Sequence, residues 1–353
     1  MTEVPKAKLV VYLVSSMLLI TFTFYGYQIF FTPNVLVDRD DQLFEIHQDA
    51  TFRTIQQDLD RGHFVNDMVS FSFLARLFGY DKEIRPGRYL LKRNMTNIAA
   101  IDALKEGKNK PVEVTFTNVR LISQLGEKLT KNIGVTEKEF YDALQNFVEQ
   151  NQEGFTEENV LCMFIPNTYE VYYNVLPEDL IERMHSEYQK FWNEERIAKA
   201  KEVGLTPLEV SILASIVQAE TIKSAEATVI AGLYLNRLKQ GIPLQADPTL
   251  VFAVGDFALK RVLNVHKEVE SPYNTYKYAG LPPGPINMPT IASIDAVLNY
   301  TKHDYIYMCA KEDFSGNHNF ASDYNQHLRN ARKYQDALTR EQEIGRRAAL
   351  KKK

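Results

Sequence analysis

A glutamate ends a run of small and apolar residues, and its place on a helix suggests acid chemistry. The stretch is ILASIVQAET, Ile212–Thr221, and Glu220 is its only charged residue. On a helix, residue 220 shares a face with Leu213, Ile216 and Val217. Such neighbours disfavour a carboxylate and raise its pKa, as a general acid near neutral pH requires. The alternative is a glutamate at a helix end pointing into water, and this stretch alone favours that alternative.

Amide, aromatic and hydroxyl side chains follow Glu220, and this mixture suits a carbohydrate. Sugar rings offer hydroxyls for hydrogen bonds and an apolar face for stacking. We therefore expect a groove beside Glu220, although an aspartate before proline commonly starts a turn and tyrosines also pack in cores. The candidate substrate-binding residues are Asn236, Gln245, Asp247, Tyr273, Asn274, Tyr276 and His318. For His318 a core position is the favoured alternative.

Other catalytic classes lack their motifs. No Gly-x-Ser-x-Gly and no phosphate-cradling glycine loop is present. The formal net charge is −4 with both signs intermixed, so no basic field is available for nucleic acid. No zinc-binding spacing joins the histidines, which are His47, His63, His185, His266, His303, His318 and His327. We expect no cofactor, no metal ion and no nucleic-acid partner.

Start and stop signals place Glu220 at the end of a well-defined helix. Thr206-Pro-Leu-Glu209 combines a capping threonine, a proline at the first helical position and a glutamate three residues after the cap. Before it, Pro177 to about Val203 predicts one long amphipathic helix that Gly204 ends. After it, Ser271–Thr290 is rich in glycine, proline and tyrosine and predicts an ordered surface loop.

Further elements follow the same signals. A capping box at Thr136–Glu139 predicts a helix to about Phe147. Ile291–Leu298 predicts another helix, YIYMCA a strand, and a last helix carries Tyr324, Leu328 and Ala331 on one face. The charged tail, residues 341–353, has few large apolar side chains, so we expect it to be frayed or solvated.

Residues 44–111 predict a small α+β module. Extended pieces such as LFEIH and GRYLLK alternate with helical ones such as TFRTIQQDLDRG and MTNIAAIDALKEGK, a strand–helix unit repeated about twice. Thr96 can cap the second helix and Gly107 can end it. Residues 112–340 then form a larger mixed domain, so the expected fold class is α+β.

A membrane helix is predicted over residues 9–31, where 23 residues carry no charge. Such a helix is about 34 Å long, enough for a hydrocarbon core of about 30 Å. A cleaved signal peptide is the alternative, but the apolar segment is too long and no small-x-small site precedes Asp38. Residues 32–43 are expected to be a linker.

Charges around this segment predict its orientation. Lys6 and Lys8 precede it, and Asp38, Asp40 and Asp41 follow it. The excess of basic residues places residues 1–8 in the cytoplasm and the rest of the chain outside the cell membrane. That compartment permits a disulfide, but the apolar surroundings of Cys162 and Cys309 favour two buried thiols.

Several motifs, in order, resemble those of the YceG-like endolytic murein transglycosylases. They are FIPNTYEVYYN, ASIVQAETIKSAEATVIAGLYLNRLKQGIPLQADPTLVFAVG, SPYNTYKYAGLPPGPINMPTIASIDAVL and GNHNFASDYNQH. The resemblance covers nearly the whole chain, including a single membrane helix and a LysM-like module before the catalytic domain. It implies that Glu220 is the catalytic acid.

The implied reaction cleaves the bond between N-acetylmuramic acid and N-acetylglucosamine inside a peptidoglycan strand, near the membrane. Glu220 protonates the glycosidic oxygen and then accepts the proton of the muramyl C6 hydroxyl, which leaves a 1,6-anhydromuramyl end. The resemblance associates this activity with ending glycan synthesis and makes peptidoglycan synthases plausible partners.

The chain departs from the family pattern at three segments. Gln218-Ala219-Glu220-Thr221 stands where Glu-Lys-Glu-Thr is common, and Pro285-Ile-Asn-Met-Pro-Thr290 where Pro-Ile-x-Asn-Pro-Gly is common. Thr115-Phe-Thr-Asn-Val119 replaces Thr-Ile-Pro-Glu-Gly. Two other functions stay open: a muramidase that uses Glu220 with Asp247 as a second carboxylate, and a peptidoglycan-binding protein without catalysis.

Overall fold

A computed structural model describes residues 6–106, 111–259 and 261–350. The chain divides into two compact units. Unit 1 comprises Met1–Val114, Thr130–Thr136 and Tyr169–Leu176; unit 2 comprises Thr115–Leu129, Glu137–Thr168 and Pro177–Lys353. Helices together with short antiparallel strand pairs confirm the α+β class.

The first helix, α1 (Lys6–Phe31), contains the predicted membrane segment. Residues Ala7–Phe31 are long and apolar enough to cross a membrane, and none of this apolar segment is buried within the protein. This agrees with a single-pass membrane protein.

Unit 1 continues with two strand pairs and three helices. The elements are β1 (Pro33–Val35), β2 (Gln42–Ile46), α2 (Phe52–Arg61), α3 (Met68–Leu77), β3 (Gly87–Leu91), β4 (Met95–Thr96) and α4 (Asn97–Glu106). Strand β2 pairs antiparallel with β3, from Gln42 opposite Leu91 to Ile46 opposite Gly87, and β1 pairs with β4. Alternation along β2 and β3 buries Phe44, Ile46, Tyr89 and Leu91 in the core of this unit.

The observed order of this unit differs from a repeated strand–helix pair, because α3 follows α2 directly. Asp67 caps α3 by accepting from the backbone N–H groups of Val69 (3.0 Å) and Ser70 (3.3 Å). The predicted cap of α4 is present, since Thr96 Oγ1 accepts from the N–H of Ala99 at 3.2 Å. Gly107 lies outside the described residues.

Part of the expected linker is a buried strand. The Asn34 side-chain amide donates to Asn97 Oδ1 at 2.7 Å, and its oxygen accepts from the backbone N–H of Asp67 at 2.7 Å. Asn97 also donates to the carbonyl of Ile29 near the end of α1, at 3.1 Å. A polar network therefore fixes the segment after the membrane helix, and composition alone did not reveal it.

The remaining elements build the larger part of the chain. They are β5 (Pro111–Phe116), α5 (Ile122–Thr130), α6 (Glu137–Gln150), β6 (Asn167–Tyr172), α7 (Pro177–Phe191), α8 (Glu194–Val203), α9 (Pro207–Glu220), α10 (Ser224–Lys239), α11 (Asp247–Val254), α12 (Ile291–Leu298), β7 (Tyr307–Ala310), β8 (His318–Ala321) and α13 (Tyr324–Leu350). Strand β5 pairs with β6, and β7 pairs antiparallel with β8.

Helix α9 lies in the core of unit 2, where it packs against α10 and α12. Its residues from Val210 to Val217 are all buried. The capping box is confirmed: the Glu209 N–H donates to Thr206 Oγ1 at 3.2 Å, and the Thr206 N–H donates to Glu209 Oε2 at 2.8 Å. The start of the helix is thus fixed locally, and its buried body places Glu220 at its end.

One helix prediction is corrected. The single helix predicted from Pro177 to Val203 is two helices, α7 and α8, because Asn193 is extended and its side chain caps α8 by accepting from the Arg196 N–H at 3.0 Å. In the charged tail, which was expected to be frayed or solvated, α13 continues to Leu350 and the side chains of residues 341–344 are exposed. Cys162 is buried, Cys309 is half-buried, and neither forms a disulfide.

Candidate active site

Glu220 is the last residue of α9, and its carboxyl group meets a tyrosine from α10. The Tyr234 hydroxyl donates a hydrogen bond of 2.6 Å to Glu220 Oε1. Tyr234 is itself buried. Because α9 and α10 pack together, this bond fixes the orientation of the carboxyl group.

Burial raises the pKa of Glu220 to about 7. The hydrogen bond from Tyr234 and the nearby His318 lower this pKa, whereas the negative charge of Asp247 raises it further. Although Glu220 as a residue is only half-buried, protein atoms surround its carboxyl group. A substantial fraction of the group is therefore protonated at neutral pH, which suits a general acid.

Two cavities meet at Glu220. The larger has a volume of about 890 Å³ and the smaller about 340 Å³, and both are lined by Glu220 and Asp247. The larger cavity also contacts Arg120 and Phe252, and the smaller contacts Tyr276. A polymer that occupied both cavities would place an internal part of its chain beside the Glu220 carboxyl group.

Asp247, the first residue of α11, is exposed and accepts a hydrogen bond of 2.6 Å from the Tyr276 hydroxyl. Burial and this carboxylate raise the pKa of Tyr276 well above its ordinary value. Lys267 Nζ lies 4.7 Å from the centre of the Tyr276 ring. The loop after Ser271 thus positions Asp247 at the cavity.

Arg237 supports the chain just before Asp247. Its buried guanidinium donates to the carbonyls of Pro243 (2.9 Å) and Leu244 (3.0 Å) and to Gln245 Oε1 (3.2 Å). Gln245 has a left-handed backbone with φ of 53°. The hydrogen bond from Arg237 fixes the orientation of the Gln245 side chain, which lines the smaller cavity.

Three expected substrate-binding residues lie outside the lining of both cavities. The Asn236 amide donates to the carbonyls of His303 (2.7 Å) and Tyr305 (3.0 Å). Asn274 is fully buried and donates to the carbonyls of Lys267 (2.9 Å) and Val269 (2.8 Å). The Tyr273 ring packs on Phe252 at 4.6 Å. These side chains support the walls instead of facing the cavities.

His318 lines the smaller cavity together with Glu220. Its backbone N–H donates to Glu226 Oε1 at 2.7 Å, and its Nδ1 lies 3.0 Å from Glu226 Oε2. A carboxylate at Nδ1 favours the tautomer with its proton there. The second ring nitrogen then accepts a hydrogen bond while the ring is neutral and donates one when the ring is protonated.

Gln218 supports the site but was not among the predicted residues. Its side-chain nitrogen donates to Asn287 Oδ1 (3.0 Å) and to the carbonyl of Met288 (3.2 Å). Its oxygen accepts from the Thr290 N–H (2.6 Å) and the Ser293 hydroxyl (3.1 Å). The departure from the family pattern at this position was the available signal.

Tyr234 was also missed. The signal was a tyrosine inside the apolar run IAGLYL, since a buried tyrosine hydroxyl usually has a hydrogen-bond partner. In the part of the chain that the structure describes, no three His, Cys, Asp or Glu side chains cluster as metal ligands.

Comparisons with known proteins find a matching family and several similar proteins. A model of the YceG-like family matches residues 44–333. An endolytic murein transglycosylase of Streptococcus pneumoniae is 24% identical over 358 residues, covering 92% of this chain and 64% of the relative. One of Bacillus subtilis is 32% identical over 204 residues, covering 57% of this chain and 54% of the relative. The chain thus spans less than two thirds of these relatives.

A crystal structure shows a similar fold. It is that of a YceG-like protein of Listeria monocytogenes, with a TM-score of 0.51 at 22% identity, covering 82% of this chain and 98% of that chain. At this identity the likeness concerns the fold. Because the family model matches most of the sequence, the chain belongs to the YceG-like family.

Proposed function

We propose that this protein is a membrane-anchored endolytic lytic transglycosylase that cleaves peptidoglycan strands between N-acetylmuramic acid and N-acetylglucosamine. The observation that carries the proposal is the Glu220 carboxyl group, held at the meeting point of two cavities with a pKa of about 7. The relatives named endolytic murein transglycosylase support the same activity.

The proposed reaction uses one carboxyl group twice. Protonated Glu220 donates its proton to the glycosidic oxygen as the bond to muramyl C1 breaks. The resulting carboxylate then accepts the proton of the muramyl C6 hydroxyl, whose oxygen bonds to C1. The products are a free N-acetylglucosamine hydroxyl and a 1,6-anhydromuramyl end, and no water is consumed.

The cavities favour cleavage within a strand. Since sugars can occupy space on both sides of Glu220, the enzyme does not need a strand end beside the acid. Gln245, Tyr276 and His318 offer polar groups along the smaller cavity. We propose that these three residues bind sugar hydroxyls there.

A muramidase is the second candidate, because Asp247 lines the same cavities as Glu220. A second carboxylate could act as nucleophile or activate a water molecule. Two points favour the transglycosylase. Asp247 is already engaged by the hydrogen bond from the Tyr276 hydroxyl, and the activity named for the relatives needs only one carboxyl group. The two reactions differ in product, anhydromuramyl ends against reducing ends.

The anchor gives the proposed location. We infer that residues 1–8 face the cytoplasm and that the chain beyond α1 lies on the outer side of the cell membrane, since Lys6 and Lys8 precede the helix and acidic residues follow it. Tethering would concentrate the site at nascent strands near the bilayer. We also propose that residues 44–111 form a LysM-like module and that peptidoglycan synthases are partners of the protein.

The test is product analysis by mass spectrometry of glycan strands incubated with the full-length protein in detergent. We expect anhydromuramyl ends from the wild type and none above background from Glu220→Gln. Glu202→Gln is the matched control, because Glu202 is exposed on α8, and it should keep wild-type activity. Cleavage by Glu220→Gln would refute the assignment, and strand binding without cleavage by the wild type would indicate a binding protein.

A further inference from the structure

The larger cavity contains two arginines that the reaction at Glu220 does not use. Arg120 and Arg261 both line it. Among the described residues no ion pair involves either guanidinium, whereas the two carboxyl groups that line the same cavity, Glu220 and Asp247, each accept a hydrogen bond from a tyrosine hydroxyl. Both guanidinium groups therefore face the cavity without an ion-pair partner, although Glu220 and Asp247 lie in the same lining.

Arg120 is held in place by its surroundings. Its guanidinium lies 4.3 Å from the centre of the Phe257 ring. Phe257 contacts Phe252, and Phe252 contacts Tyr273, so a row of aromatic rings supports the arginine. The backbone N–H of Arg120 donates to Gln124 Oε1 at 2.8 Å. A side chain ordered in this way loses less entropy when it binds a ligand.

Guanidinium groups bind planar or tetrahedral anions through paired hydrogen bonds. The N-acetylated sugars of a peptidoglycan strand are uncharged. Its negative charges lie on the carboxylates of the stem peptides and, in a strand still attached to its lipid carrier, on the pyrophosphate. A glycan cavity with two unpaired arginines is therefore suited to one of these groups.

We propose that Arg120 and Arg261 bind an anionic group of the strand, so that the enzyme acts on strands bearing charged stem peptides or a lipid-linked pyrophosphate in preference to uncharged ones. This inference rests on the proposed function and adds a substrate class to it. Arg120 and Arg261 would determine specificity without taking part in proton transfer.

The test compares three substrates with the full-length protein in detergent. They are lipid-free strands with free peptide carboxylates, the same strands after conversion of these carboxylates to amides with carbodiimide and ammonium, and lipid-linked amidated strands. We expect kcat/KM for wild type to be on the order of tenfold higher on the carboxylate strands than on their amidated form, through KM. Arg120→Gln with Arg261→Gln should abolish this preference.

The controls separate charge from fold. Arg183→Gln removes an exposed arginine of α7 that lines neither cavity, and it should keep the preference. Arg120→Lys with Arg261→Lys keeps the positive charges and should retain part of the preference for carboxylate strands. A wild-type preference only for lipid-linked strands, lost in the glutamine variant, would assign the site to pyrophosphate. Equal kcat/KM on all three substrates would overturn the proposal.

Binding in the Glu220→Gln background tests the arginines independently of cleavage. Dissociation constants for the carboxylate and amidated strands should differ by the same factor, and the added Arg120→Gln and Arg261→Gln changes should remove the difference. If the wild type cleaves no strand but this difference is present, the proposed reaction fails and the anion site stands. If strands are cleaved but the dissociation constants are equal for the carboxylate, amidated and lipid-linked amidated strands, the anion site fails alone.

Discussion

At the residue scale, the proposed chemistry depends on how the carboxyl group of Glu220 is held. Glu220 combines a desolvated position with a single short hydrogen bond from Tyr234. These two influences act in opposite directions on its pKa, and burial is the larger. The acid is thus poised near neutral pH and also oriented.

The pH dependence of cleavage follows from this balance. Because the reaction begins with protonated Glu220, kcat/KM should fall as the pH rises through about 7. Tyr234→Phe removes a hydrogen bond that lowers the Glu220 pKa, so the alkaline fall should move to higher pH while the optimum rate drops about two- to tenfold. Tyr188→Phe, at another buried tyrosine of unit 2, is the control. An unchanged or downward shift in Tyr234→Phe would contradict this role.

The free energy of unfolding should show what it costs to bury the Glu220 carboxylate. The folded-state pKa of Glu220, about 7, exceeds its ordinary value of 4.5, so wild type loses stability relative to Glu220→Gln as the pH rises between these values. Above pH 7 the variant should be more stable by about 1–3 kcal/mol, and below pH 4.5 the two should be alike. Thermal unfolding at several pH values measures the difference. A wild type that is more stable at alkaline pH would show that the carboxylate is not desolvated.

The family resemblance predicted Glu220 as the acid, but it did not predict how the neighbouring side chains are arranged. Asp247, Tyr276 and His318 line the cavities, and their binding of substrate stays a prediction. Asn236 and Asn274 do not, because backbone carbonyls distant in sequence or inside the loop take their amide groups. Residue type predicts a capacity for hydrogen bonding, whereas the partner depends on packing between elements.

At the element scale, α9 and the loop before α12 are joined by Gln218. Its amide donates two hydrogen bonds and accepts two, so both ends of the group are used. Only an amide matches this set of partners, because a carboxylate has no donor. This explains locally why glutamine stands where the family commonly has glutamate.

Gln218→Glu should therefore be destabilising even though it restores the common residue. The carboxylate would face Asn287 Oδ1 and the Met288 carbonyl, and the loss should be about 1–3 kcal/mol. Denaturant or thermal unfolding measures it, with Gln335→Glu on the exposed face of α13 as the control. Unchanged stability in Gln218→Glu would mean that Asn287 reorients to donate.

Elements with strong local signals were predictable, and those defined by distant contacts were not. The cap of α9 is encoded within four residues, from Thr206 to Glu209, and the structure contains it. The break between α7 and α8 has only Asn193 as a local signal within an otherwise continuous helical pattern. Strand β1 depends on Asn97, far along the chain, so its segment resembled a linker.

At the scale of the whole molecule, α1 provides the membrane attachment. Leu18 and Leu19 lie near the middle of this helix, and their side chains are not covered by the rest of the protein. Arginine at the centre of a membrane helix costs about 2.5–3.5 kcal/mol per residue. Leu18→Arg with Leu19→Arg should move the protein from the membrane fraction to the soluble fraction or cause its degradation.

Carbonate extraction of membranes followed by detection of the protein checks this expectation. Leu18→Ile with Leu19→Ile keeps the apolar character and should stay in the membrane fraction. Membrane integration of the double arginine variant at the wild-type level would contradict an anchoring role for α1.

Cleavage of glycan strands in water labelled with heavy oxygen tests the central claim most directly. A transglycosylase that uses the muramyl C6 hydroxyl should produce anhydromuramyl ends, each one water lighter than a reducing end and free of the label, and Glu220→Gln should produce none. New reducing ends from the wild type, above those already present in the substrate, would instead show that water attacks C1, which would contradict the proposed transglycosylase and support hydrolysis with Asp247.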